Sequence, residues 1–90
     1  MTPTPELTVI IVSYNTRELT LAALRTLYAT TQATAFHTVV FDNASTDGSA
    51  DAVAATFPQV ELLRSDENLG FARANNMVAA AARTEWLLLL

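Results

Sequence analysis

The sequence contains no cysteine and no lysine. Without cysteine there are no disulfides and no thiolate metal sites. Without lysine its positive charge rests on five arginines, and the net charge is -4. An acidic chain lacks the basic face that neutralises phosphates in non-specific DNA or RNA binding, so no nucleic-acid partner is expected. Glycine occurs only at Gly48 and Gly70. Neither follows the first apolar run, which argues against the glycine-rich turn of a dinucleotide fold and against a P-loop. The single histidine, His37, stands just before an apolar run. It reads as a strand-edge residue rather than a metal ligand or a base, so a nucleophilic triad has no support. No apolar run reaches the length of a membrane span, and Met1 to Glu6 holds two prolines and no positive charge, unlike a signal peptide. The expected setting is the cytoplasm, including the inner face of the membrane.

What is present is apolar: 51% of the 90 residues are hydrophobic, slightly above the average for soluble domains. Ninety residues make one domain at most and bury a modest share of their surface. That mismatch fits a piece of a larger α/β domain, with residues 1–90 forming one incomplete domain and residues 1–6 a disordered lead-in.

Thr8 to Val12 is a continuous apolar run, the mark of a strand covered on both faces. It breaks at Ser13-Tyr14-Asn15. Asn15 and Glu18 have capping-box spacing, which predicts a helix from about Thr16 to Thr30, N-capped by Asn15. Leu24, Leu27, Tyr28 and Thr31 share one face of it, with Ala23 beside them. His37 to Phe41 reads as a second strand. An alanine-rich helix follows from Ser49 to Thr56, stopped by Pro58. Val60 to Arg64 reads as a third strand, and its partial alternation places it near a sheet edge. A third helix is expected from Phe71 to Arg83, a turn at Thr84-Glu85, and a wholly apolar fourth strand from Trp86 to Leu90. The order β-α-β-α-β-α-β predicts a Rossmann-like parallel sheet with helices on its faces.

The chain is organised around Thr38 to Gly48. Val39, Val40 and Phe41 form a buried strand that switches within one residue to Asp42-Asn43, then to small hydroxyl residues and an Asp-Gly turn. In open α/β sheets the ligand crevice lies outside the carboxyl ends of the strands. Three loops should gather there: Ser13 to Thr16, Asp42 to Gly48, and Ser65 to Gly70. Their carboxylates and amides suit the edge of a nucleobase or a ribose hydroxyl, the Tyr14 ring suits stacking, and Arg73 suits a diphosphate. A phospho-acceptor domain would need an acidic pair where Ser13-Tyr14-Asn15 stands. Paired carboxylates for hydrolysis do not follow from loop acids alone.

Three segments carry a family resemblance: Val9-Ile10-Ile11-Val12-Ser13-Tyr14-Asn15, then Val39 to Ser49, then Asn68-Leu69-Gly70-Phe71-Ala72-Arg73-Ala74-Asn75-Asn76. In this order and spacing they resemble the start of a family 2 inverting glycosyltransferase of the GT-A fold, in its rhamnosyltransferase-like branch. The resemblance covers the chain from Leu7 onward. It implies that Ser13 and Tyr14, with Asn15, line the nucleotide pocket. It implies that Asp42 bonds a pyrimidine base with Asn43 beside it, and that Asn68, Gly70 and Arg73 lie near the sugar-diphosphate. It implies a UDP- or dTDP-sugar donor, a glycan or lipid-linked acceptor, and a role in cell-wall or polysaccharide biosynthesis. It also implies Mn²⁺ or Mg²⁺ on the diphosphate and a carboxylate base. Both are expected beyond Leu90, so no catalytic or metal residue falls within this chain, and the chain alone is expected to be inactive.

The bland alternatives differ by residue. Asp42 is read as a binding acid against a loop acid or a cap for the helix at Ser49. Tyr14 is a core-edge aromatic or a stacking platform. Asn68 is a loop residue or a ligand; Arg73 is a surface charge or a ligand. Asp47-Gly48 reads as turn chemistry, Asp66 and Glu67 as solvated, Trp86 as core. Asn75 or Asn76 is expected to bond a neighbouring loop. The competing class is a truncated, non-catalytic remnant that binds nucleotide weakly or self-associates through Trp86 to Leu90.

Overall fold

The computed structural model describes residues 5–90; residues 1–4 of the expected lead-in lie outside the described residues. Four strands and three helices alternate: β1 (Leu7–Ser13), α1 (Arg17–Thr30), β2 (Phe36–Asp42), α2 (Ser49–Thr56), β3 (Glu61–Arg64), α3 (Phe71–Ala81) and β4 (Trp86–Leu89). The strands form one parallel sheet in the order β3-β2-β1-β4. The Rossmann-like α/β reading therefore holds, and β3 does lie at an edge.

The pleat of β1 explains the layering. Side chains alternate across a strand, so Val9 and Ile11 enter one core with Leu21, Leu24 and Leu27 of α1 and Val53 of α2. Ile10 enters a second core on the opposite face, with Val39, Phe41 and two α3 residues, Ala74 and Val78. Two apolar faces per strand are what a continuous apolar run specifies. Each fully buried Leu or Val contributes about 1.5–3 kcal/mol of burial free energy.

After β3 the chain crosses on the α3 face and returns beside β1, so the strand order reverses there. Such reversal points are where open sheets hold ligands. The register aligns Ser13 with Asp42, and Asp42 with Arg64, along one edge.

Four expectations change. Asn15 is not the N-cap of α1: the cap position is Thr16, with no side-chain cap bond, and Asn15 has φ 51°. The Asn15–Glu18 box does not form because loop partners thirty residues away take its place, as described below. Trp86 is not core. It is 63% exposed, and Leu87, Leu88, Leu89 and Leu90 are exposed with it, because the helices pack over β1, β2 and β3 and none packs over β4. Asn75 does not reach a loop: its Nδ2 donates to the Phe71 carbonyl of its own helix at 3.1 Å. α3 also ends at Ala81, two residues earlier than its alanine run suggests.

Candidate active site

The three expected loops do meet at the carboxyl edge of the sheet, and side chains stitch them together. Asp42 ends β2 at 4% exposure. Its Oδ2 accepts the Ser45 backbone N–H, three residues on, at 3.0 Å. Its Oδ1 is buried with no hydrogen-bond partner. A buried acceptor without a partner costs about 1–3 kcal/mol, so this oxygen is primed for a donor. Asp42 does not cap α2; that helix starts after Gly48, in left-handed backbone with φ 81°.

Asp47 holds the ends of two helices. Its Oδ2 accepts the Arg17 N–H at 3.1 Å, and its Oδ1 accepts the Ser49 N–H at 3.0 Å and the Ser49 hydroxyl. Those bonds favour the anion. The Ser49 hydroxyl is the largest influence holding its carboxyl below the ordinary 3.8, with the Arg17 and Ser49 N–H groups adding and desolvation opposing. Asn15 joins the same seam: its N–H donates to Ser45 Oγ at 2.9 Å, and its Oδ1 accepts the Thr46 N–H at 2.7 Å.

Asn43 sits in the centre at 2% exposure. Its N–H donates to the Ser13 carbonyl at 2.7 Å. Its Oδ1 accepts the Leu69 N–H at 2.7 Å, and its Nδ2 donates to the Gly70 carbonyl at 3.4 Å. Both ends of the amide are engaged inside the protein, so Asn43 ties the third loop to the end of β2. Ser13 is likewise buried, its hydroxyl bonded to those of Thr16 and Thr20 at 3.2 and 3.1 Å.

The remaining candidates are accessible. Tyr14 is 49% exposed, which leaves its ring face open for stacking. Asn68 is exposed, with its Oδ1 taken by the Gly70 N–H at 2.8 Å. Gly70 precedes α3 with φ 82° and ψ 162°, backbone essentially reserved for glycine. Arg73 is exposed in the first turn of α3. No ion pair engages it among the described residues, whereas Arg64 pairs with Asp51 and Arg17 with Glu18. Asp66 and Glu67 are exposed, as expected.

Sequence reasoning missed Ser45, Thr46 and the capping role of Asp47. For Asp47 the signal was local, an Asp two residues before Ser49; Ser45 and Thr46 meet Asn15, thirty residues away, and left no local mark. Among the described residues no three of His, Asp and Glu come together as a metal set. A cavity of about 570 Å³ lies elsewhere, bordered by Val39, Phe41, Leu63, Met77 and Val78. It is larger than the space of about 300 Å³ at Asn15, Thr16, Arg17 and Asp47. None of the candidate residues lines it; it lies between the sheet and α3, with His37, Glu61 and Arg83 also at its border.

Residues 8–90 match glycosyl transferase family 2. Comparison with the curated proteins gives no match. Among solved structures, a mannosyltransferase from Pyrobaculum calidifontis in complex with GDP-Man and Mn²⁺ is similar, with a TM-score of 0.73 and 34% sequence identity over 91% of this chain. This chain covers 26% of that one. With its Rossmann-like sheet matching a GT-A fold and its family match spanning both cores and all three edge loops, the chain belongs to glycosyl transferase family 2.

Proposed function

We propose that this chain is the nucleotide-binding part of a glycosyltransferase that moves a sugar from a UDP- or dTDP-linked donor to a glycan or lipid-linked acceptor, with inversion. The single observation that carries this is Asp42, whose Oδ2 is held by Ser45 and whose Oδ1 is left without a partner. One free acceptor suits a base with one ring N–H between two carbonyls, as in uracil and thymine. Guanine offers adjacent N–H groups that call for both carboxylate oxygens. Adenine and cytosine present a bare ring nitrogen where a donor is needed. The neighbour of known structure holds GDP-Man, so guanine is the comparison that matters.

Tyr14 would stack on the base, Asn15 hold the loop beneath it, and Asn68, Gly70 and Arg73 face the diphosphate. The rim is acidic, with Asp47, Asp66 and Glu67 exposed against Arg73. Mn²⁺ or Mg²⁺ would add to the charge of Arg73 in the complete enzyme and stabilise the leaving nucleoside diphosphate. This chain covers 26% of its solved neighbour, and on this reading the metal ligands and the base are supplied from outside residues 1–90. On this reading the 90-residue chain binds but does not transfer sugar. Its setting is the cytoplasm or the inner membrane face, where nucleotide sugars meet acceptors for cell-wall or polysaccharide synthesis. No described helix is long and apolar enough to cross a membrane.

Calorimetry with UDP, dTDP and GDP tests the reading. Pyrimidine diphosphates should bind more tightly than GDP, and Asp42→Ala should abolish the difference. Equal or tighter GDP binding would overturn the base assignment. A second reading, a non-catalytic remnant that self-associates, is favoured by one observation, the exposed apolar β4. No binding at millimolar nucleotide would favour it.

A further inference from the structure

Resting on the donor-site reading above, we propose that Asn43 is a positioning residue that sets the spacing between the base end of the site at Asp42 and the diphosphate end at Arg73.

The residue next to Asp42 bonds to the loops on both sides of it. Through its own N–H it fixes the Ser13 carbonyl at the end of β1. Through its amide it accepts from Leu69 and donates to Gly70. The Asp42 carbonyl in turn accepts the Ser65 N–H at 2.9 Å, where the third loop begins. The third loop is therefore tied to the strand end at its start and at its finish.

The finish matters for Arg73. Gly70 is the N-cap of α3, and Arg73 lies three residues on. The carbonyl of Gly70 also accepts the Ala74 N–H at 3.2 Å, opening the helix ladder. Where Gly70 sits and how it is turned decide where α3 starts. Its glycine-only conformation is gripped from two sides, by Asn68 on the N–H and by Asn43 on the carbonyl. The amide accepts from one peptide group and donates to the next. A carboxylate of the same shape would keep the Leu69 bond and oppose the Gly70 carbonyl.

Asn43 is buried, so it acts through other residues. A ligand that reaches only Asp42 should be indifferent to the Gly70 link. A ligand that spans both ends should not be.

The test uses the full 90-residue chain and two probes, uridine and UDP, by calorimetry. In the unmodified chain UDP should bind about tenfold more tightly than uridine, the worth of one charge-assisted contact. In Asn43→Ala and in Asn43→Asp, uridine affinity should stay within about twofold while the UDP advantage is lost. Arg73→Ala should lose the same advantage, and Asn43→Ala with Arg73→Ala together should lose no more than either alone, since one contact is removed twice. Equal weakening of uridine and UDP, or additive losses in the double variant, would overturn the proposal while leaving the donor site standing. Absence of binding by either probe to the unmodified chain would instead sink the donor-site reading, and this one with it. If the Asn43 variants fail to fold, amide hydrogen exchange on the unmodified chain decides. The Leu69 N–H should be protected before nucleotide is added and remain so after; free exchange in the absence of nucleotide refutes a preset loop.

Discussion

Asp47 Oδ2 accepts the backbone N–H of Arg17 at 3.1 Å across thirty residues of sequence, so the first turn of α1 is closed by a carboxylate from the loop before α2. The same side chain bonds Ser49 at the start of α2. One acid thus satisfies orphan donors on two helices and complements both dipoles.

This arrangement has a pH signature. The folded-state pKa of Asp47 is lowered from 3.8, so its stabilisation is fully present above that value and is lost as pH falls through the lower folded value. Thermal melts of the unmodified chain from neutral to acid pH should show a drop in Tm setting in below about pH 4. Asp47→Asn should be less stable at neutral pH, and the gap between the two proteins should close as the acid limb is reached. A gap that stays constant across the range would mean Asp47 acts by shape and not by charge.

The two glycines should respond differently to alanine. Gly70, at φ 82° and ψ 162°, has nothing within 4 Å of an added Cβ. Its substitution costs conformation alone, about 1–3 kcal/mol. Gly48, at φ 81° and ψ 12°, lies in the left-handed helical region, with Arg17 Nη1 at 3.6 Å from an added Cβ, an ordinary contact. Gly48→Ala should cost about 1–2 kcal/mol, and Gly48→Asn less, because Asn tolerates this region. Urea denaturation of the three variants gives the ranking.

Leu24 and Leu19 lie five positions apart on α1 and should differ most in the core test. Leu24 is fully buried between β1 and α1, whereas Leu19 is 73% exposed. Leu24→Ala should cost about 2–5 kcal/mol, a large fraction of the stability of a chain of this size. Leu19→Ala should stay within about 0.5 kcal/mol. Chemical denaturation followed by circular dichroism reads both.

β4 offers an apolar strand with one unpaired edge. Its backbone is paired to β1 on one side only, and its side chains are exposed on both faces. Such edges associate. Sedimentation velocity should show concentration-dependent association of the unmodified chain, reduced in Leu88→Lys and further reduced in Leu87→Lys with Leu89→Lys. Association that ignores these changes would place the contact elsewhere.

The sheet was legible in the sequence because its signals are local. Apolar runs, the Asp-Gly turn, Pro58 and the alanine-rich helices each stand within a few residues, and their alternation allows few folds. The gathering of three loops followed from strand parallelism alone. Asn15 and Trp86 were misread for the same reason in opposite directions. The capping box at Asn15 is a local rule that lost to partners thirty residues away. The apolar run at Trp86 carries no local mark of whether anything covers it, and here nothing among the described residues does.

The sequence by itself determined the element order, the two-faced burial of β1 and β2, and the strand-end acid that marks the crevice. Those rest on periodicity and on the backbone preferences of single residues. Tertiary structure alone decided that β4 lies beside β1, that Asp47 serves two helices, and that Asn43 links the loops on both sides of it. Each depends on which polar group comes within hydrogen-bond reach after the sheet has assembled. A chain pattern of period two or 3.6 carries no record of a distance between residues that meet only when folded.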